Sequence, residues 1–220
     1  MEVIRRYFPQ KPWQLVFIAS FLCGGVIMAN GLYIKAKAQL AQFMIAHAWE
    51  KQKQTGENQA PWPWADTYPI AKIALKNNKP QWVLSGANMR NLAFGPTLQM
   101  QTALPGRRGN VVIYGHNDTH FAGLAEIKPG DSMSIETRAG TQVYYSVEEI
   151  SIAHESDTQW IEQTDDDRVT LVTCYPFDAM TFNGPLRYVV VAKPQLTPDS
   201  LRDFAPDVFY SAKTETEQWL

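Results

Sequence analysis

Hydrophobic and polar residues divide the chain into three stretches of different character. From Trp13 to Ile34 no charged residue occurs, whereas Arg5, Arg6 and Lys11 stand before this run and Lys35 and Lys37 follow it. Such a run is long enough to cross a bilayer as a helix and too long for the apolar core of a signal peptide. It predicts a membrane anchor over 13–34 and a cytoplasmic N-terminus over 1–12, since basic residues gather on the inner side. Ala36-Lys37-Ala38 has the small-x-small form of a cleavage site, which keeps a removed signal as the competing reading. Good helix formers continue to about Gln54, with apolar Leu40, Phe43, Ile45 and Trp49 and no proline, predicting a juxtamembrane helix. His47 reads there as a polar side chain on an amphipathic helix.

Polar residues from Thr55 and the run Pro61-Trp62-Pro63-Trp64 exclude a regular helix and predict a linker, so that 35–61 is helix plus linker. The pattern then changes to short, β-rich runs: Ile70–Leu75, Gln81–Leu84, Asn110–Tyr114, Ser132–Thr137, Gln142–Ile152, Arg168–Thr173 and Arg187–Ala192. Pro105-Gly106, Pro129-Gly130, Ala139-Gly140 and Asn183-Gly184-Pro185 separate them as turns. Short strands at this spacing predict an antiparallel sandwich or barrel over 62–194. In the tail, 195–220, Thr197-Pro198-Asp199-Ser200 ahead of Leu201–Phe204 predicts a helix start and a packed cap.

Composition adds limits. A chain of 220 residues, 45% hydrophobic and with a formal charge of −2, suits one globular domain with an appendage. Acids and bases are balanced and no basic stripe is interleaved with aromatics, which sets nucleic acid aside as a partner. The two cysteines cannot pair, because Cys23 lies within the apolar span and Cys174 in the folded domain. Cys174 is therefore either a small buried hydrophobe or a reactive thiol.

Its placement bears on that choice. Cys174 follows the β-branched run Arg168–Thr173 and precedes Tyr175-Pro176, which ends the strand, and strand ends face loops and clefts. His116 has the same placement, directly after Val111-Val112-Ile113-Tyr114-Gly115. Neighbouring strands of a barrel can bring the two together, and a Cys–His pair is the minimum equipment for covalent acyl transfer. Arg187 opens the last strand. A surface arginine on a strand edge is the ordinary reading, but thiolate attack on an amide creates an oxyanion, and a preorganised donor beside it lowers the barrier by about 3–4 kcal/mol.

The other candidates have simpler readings. His120 shares a loop with His116 and reads as structural, Asp118 as a turn former, and His154 lacks metal-ligand spacing. Asp165-Asp166-Asp167 with Glu148 and Glu149 could hold calcium, but no EF-hand pattern accompanies them and solvated turns are the simpler reading, so no cofactor is expected.

Taken together these segments resemble the sortase family. Thr170-Leu171-Val172-Thr173-Cys174 matches its TLxTC signature, and Gly115-His116-Asn117-Asp118-Thr119-His120-Phe121 is similar to its catalytic histidine segment. The likeness extends over Asn91–Pro96, Ala103–Gly106, Gly109–Ile113 and Gly184–Tyr188, and is strongest to sortases of Gram-negative, notably marine, bacteria. It implies an all-β, eight-stranded barrel with short helices behind an N-terminal transmembrane helix, and His116, Cys174 and Arg187 in the three catalytic positions. It further implies a single-pass protein of the inner membrane with its domain on the periplasmic side. Its partners would be exported proteins with a C-terminal LPxTG-like sorting motif and an amine acceptor of the envelope. Asn117 stands where many relatives have arginine. Two rivals remain at this stage: a cysteine hydrolase on the same barrel, in which water resolves the thioester, and a membrane-tethered binding module with an inert thiol.

Overall fold

The computed structural model describes residues 12–76, 79–178 and 184–195. The helix start expected at Thr197-Pro198-Asp199-Ser200 lies outside the described residues.

Helix α1 runs from Pro12 to Thr55, 44 residues without a break. Its first half is apolar all round, with Phe17, Phe21 and Val26 two-thirds or more exposed. A helix of that kind has no aqueous face, the character of a membrane-crossing segment. Among the described residues it is the one helix long and apolar enough to cross a membrane.

The compact unit that holds the sheet begins at Ile45, inside this helix. Ile45, Ala48, Trp49 and Gln52 follow the spacing of one helical face and are all buried. Gln52 Nε2 donates to Pro69 O at 2.8 Å. The last turns of the helix, ahead of the expected boundary at 62, pack in the same compact unit as the sheet. Their apolar spacing was legible, but their partner surface exists only once the sheet has closed.

Eight strands follow: β1 (Pro69–Leu75), β2 (Gln81–Ser85), β3 (Thr97–Leu98), β4 (Asn110–Tyr114), β5 (Ser132–Thr137), β6 (Gln142–His154), β7 (Arg168–Tyr175) and β8 (Leu186–Pro194). They close in the order β1-β2-β3-β4-β7-β8-β6-β5, so every strand has two neighbours and no edge is left open. The barrel is mixed, correcting the antiparallel expectation: β2 pairs with β3, and β4 with β7, in parallel. A parallel pair needs a crossover, and the β5–β6 excursion between β4 and β7 provides it. Strand β3 was missed because two residues show no alternation.

Alternation along each strand fills the barrel with one set of side chains. Val111 and Ile113 of β4, Val169 and Leu171 of β7, and Val190 and Ala192 of β8 belong to the central core. The residues between them face outward. On that outer side Ala153, Val189 and Val191 form a second cluster, closed by Trp160 from the β6–β7 connection.

Candidate active site

Of three neighbouring strands, β7 and β8 carry Cys174 and Arg187 on paired residues, and β4 leads into His116 just past its end. Cys174 and Arg187 are directly opposed in the antiparallel β7–β8 pair, so their side chains leave the same face of the sheet. In the parallel β4–β7 pair the register places Tyr114 beside Val172. Two residues further along come His116, in the segment just past β4, and Cys174, still within β7. Since Val169 and Leu171 of β7 and Val190 and Ala192 of β8 point inward, alternation directs Cys174 and Arg187 to the outer face. His116, Cys174 and Arg187 are all half-buried, neither sealed in the core nor fully exposed.

Short hydrogen bonds secure the register at this end. Gly115 N donates to Val172 O at 3.2 Å, continuing the ladder beyond the last paired residue of β4. Thr173 Oγ1, buried, donates to Gly115 O at 2.6 Å. Asn117 Nδ2 donates to Pro176 O at 3.1 Å, tying the segment after the histidine to the segment after the cysteine. Asn117 thus has a structural task that its sequence position did not disclose.

Glycine is required at 115 for want of space. A Cβ there would lie 2.6 Å from the ring of Phe121, which is fully buried. Phe121 N in turn donates to His116 O at 2.9 Å, so ring and backbone together shape the turn that presents the imidazole.

His120 faces a different neighbour. Its Nδ1 lies 3.2 Å from Gln81 Oε1, while Gln81 Nε2 donates to His120 O at 2.9 Å, a two-point tie to β2. Burial, then the nearby His116, push its pKa below the ordinary histidine value, against an opposing pull from Asp118. His120 is thereby disposed to stay neutral and to brace the loop.

Arg187 is held from three sides. Nη1 donates to Gly184 O at 2.6 Å and to Leu186 O at 2.9 Å, and Nη2 donates to Glu155 Oε2 at 2.6 Å. Glu155, just past the end of β6, is therefore an ion-pair partner of the candidate oxyanion donor.

The β6–β7 connection walls the outer face through Asn110. This side chain donates to Trp160 O at 3.0 Å and Glu162 O at 2.9 Å, and its Oδ1 accepts from Thr170 Oγ1 at 2.7 Å. Gln163 Nε2 donates to Asn110 O at 2.9 Å. Asn110 is 1% exposed, so each of these bonds is made away from water, where a lost partner costs most.

The acidic residues considered for calcium have other partners. Asp166 makes a two-oxygen pair with Arg168, which holds its carboxyl below the usual range, and Glu148 pairs with Lys193 at 3.1 Å. Asp167 Oδ1 accepts from Gly109 N at 3.2 Å. Among the described residues no group of three or more histidine, cysteine or carboxylate side chains gathers in a metal-binding arrangement.

Cys174 and Arg187 thus set a thiol and a guanidinium on paired residues, a nucleophile and a cation of the kind covalent acyl transfer uses. Known proteins share the arrangement's framework. Sortase D of Bacillus subtilis (strain 168) is 29% identical over 112 residues, which is 50% of this chain and 56% of that relative. The chain thus spans about half the length of the curated relative it matches. Sortase A from Corynebacterium diphtheriae superposes with a TM-score of 0.53 at 27% identity, covering 61% of this chain and 65% of that one. The Clostridium perfringens Sortase D5 transpeptidase gives 0.56 at 24% identity, covering 71% of this chain and 96% of that one, a likeness of fold. The expected likeness to Gram-negative marine sortases has no counterpart among these three. The family model for the sortase domain matches residues 73–195, a stretch that contains His116, Cys174 and Arg187, and the chain belongs to the sortase family, whose members are cysteine transpeptidases.

Proposed function

We propose that this chain is a membrane-anchored cysteine transpeptidase that cleaves a C-terminal LPxTG-like sorting motif and transfers the acyl part to an amine of the cell envelope. The observation that supports the reading is the direct pairing of Cys174 with Arg187 across β7 and β8, with His116 just past the end of β4, the strand on the other side of β7. The Cys174 thiolate attacks the carbonyl carbon of the scissile amide, and the carbonyl electron pair moves onto oxygen. Arg187 donates to that oxyanion; its guanidinium stays charged at any working pH and cannot serve as a base. Collapse breaks the C–N bond, the leaving amine takes a proton from His116, and a thioester remains on Cys174. The incoming amine then gives its proton to His116, attacks the thioester, and releases the thiolate.

Helix α1 supplies the anchor, and the basic residues before the span favour an inner-membrane protein with the barrel on the outer, periplasmic side. Substrates are then exported proteins carrying the motif, held near the same membrane. Attachment raises the effective concentration of enzyme toward anchored substrate.

The test is product analysis on a sorting-motif peptide with and without a small amine. Acyl transfer to the amine, absent in Cys174→Ala, is the expected result. Acyl transfer to water alone identifies a hydrolase, and cleavage by Cys174→Ala overturns the thiol mechanism. Arg187→Lys keeps the charge but loses the planar fork, so it should recover only part of the kcat lost in Arg187→Ala.

A further inference from the structure

One contact at the reactive thiol has no part in the acyl-transfer steps, the ion pair between Arg187 and Glu155. Glu155 lies just past the end of β6, where the β6–β7 connection begins, and Arg187 lies near the start of β8. These elements are joined twice at this point. Glu155 N donates to Pro185 O at 2.7 Å, and Glu155 Oε2 accepts from Arg187 Nη2 at 2.6 Å. Backbone and side chain of one residue thus hold both the approach to β8 and the head group of its arginine.

The donor count gives this contact a consequence. A guanidinium has five N–H groups in a fixed plane. Among the described residues, three bonds occupy it: two from Nη1 to the carbonyls of Gly184 and Leu186, and one from Nη2 to Glu155. The carbonyls hold one side of the fork and the carboxylate fixes its rotation, leaving Nε–H and one Nη2–H for another acceptor. Arg187 is opposite Cys174 in the β7–β8 register, so an oxygen that forms at the thiol lies on the same face as these free donors. An arginine side chain otherwise loses about 2 kcal/mol of rotamer freedom when it is ordered, a cost that would fall on the reaction if the group were loose beforehand.

We propose that Glu155 is a positioning residue for the transfer reaction, orienting the Arg187 guanidinium so that its two remaining N–H groups face the oxyanion formed at Cys174. Glu155 itself is half exposed, with a side-chain exposure of 53%, so the pair adds little to global stability. Its effect belongs to the transition state, where orientation rather than attraction is decisive. This inference rests on the transpeptidase reading of Arg187.

The experiment uses the full chain in detergent micelles. Steady-state kinetics on one sorting peptide compare wild type with Glu155→Gln and Glu155→Asp, and the Arg187 Nε–H resonance, assigned by its loss in Arg187→Lys, is followed by NMR. Glu155→Gln should lower kcat roughly tenfold with KM nearly unchanged, as for an interaction made only in the transition state. Glu155→Asp should recover part of the loss, and the hindered rotation of the guanidinium seen in wild type should be released in Glu155→Gln. In an Arg187→Ala background, Glu155→Gln should have no further effect. Full kcat in Glu155→Gln, an unchanged Arg187 resonance, or an equal loss in the Arg187→Ala background each overturns the proposal while leaving Cys174 chemistry intact. If wild type does not turn over the peptide, the transpeptidase reading fails instead, and the resonance alone decides whether Glu155 orients Arg187.

Discussion

The indole of Trp49, near the end of the long helix, lies 5.4 Å from that of Trp82 on β2, with Lys72 Nζ 4.5 Å from the Trp82 ring. Trp49 is fully buried, and Glu136 completes the cluster by pairing with Lys53 at 3.0 Å and Lys72 at 3.2 Å. Within the unit that begins at Ile45, the last helical turns and the barrel are thus joined by aromatic area, cation–π contact and ion pairs, and not only by the chain between them.

A chain that begins at Ile45 should therefore be more stable than one that begins at Trp62, because the shorter form uncovers the surface that Trp49 and Ile45 bury. Trp49→Ala should cost about 3–5 kcal/mol in the same unit. Thermal melts of the two forms and of the variant are the measurement; equal midpoints for the two starts would show that the helix end contributes nothing to the fold.

His116→Ala should lose activity by about 10²–10⁴-fold, the range for a positioned acid–base group. His120→Ala should lose less than about tenfold, because His120 is tied to Gln81 and held toward its neutral form by burial. Peptide cleavage rates settle the matter, and equal losses would mean that the base has been chosen wrongly.

Gly115→Ala should harm both stability and activity. The added methyl meets the Phe121 ring at 2.6 Å in a packed interior, an overpacking that typically costs about 1–3 kcal/mol. Since Phe121 N donates to His116 O, displacement of the ring also displaces the imidazole. A double variant, Gly115→Ala with Phe121→Leu, should regain part of the activity by relieving the clash. No recovery would place the defect elsewhere.

Acid should loosen the contact between helix and barrel. Burial raises the pKa of Glu136, but the hydrogen bonds from Lys53 and Lys72 outweigh it, and the net shift is downward. A carboxyl with a folded pKa below its unfolded one contributes stability above the unfolded value, and that contribution is lost as pH falls through the folded value. Melting midpoints followed from neutral pH to below about pH 4.3, the ordinary glutamate value, should fall less steeply in Glu136→Gln than in wild type. Parallel curves would exclude this carboxylate as a source of the acid sensitivity.

Much of this protein was legible in its sequence, for reasons of local physics. The uncharged run Trp13–Ile34 determines a helix without an aqueous face, and short apolar runs bounded by turn residues match Asn110–Tyr114 and Ser132–Thr137 to the residue. Cys174, His116 and Arg187 stood out because strand ends and residue chemistry are both local properties. Tertiary structure decided what depends on register and closure. It set β4 parallel to β7, so that the chain leaves β4 toward His116 at the same end at which β7 carries Cys174, and it paired Thr97–Leu98, too short to show a pattern. It also brought Glu155 to Arg187, across 32 positions of sequence, and turned the Ile45–Gln52 face into part of the domain. Periodicity tells a residue which side it faces; only the closed barrel determines what stands on that side.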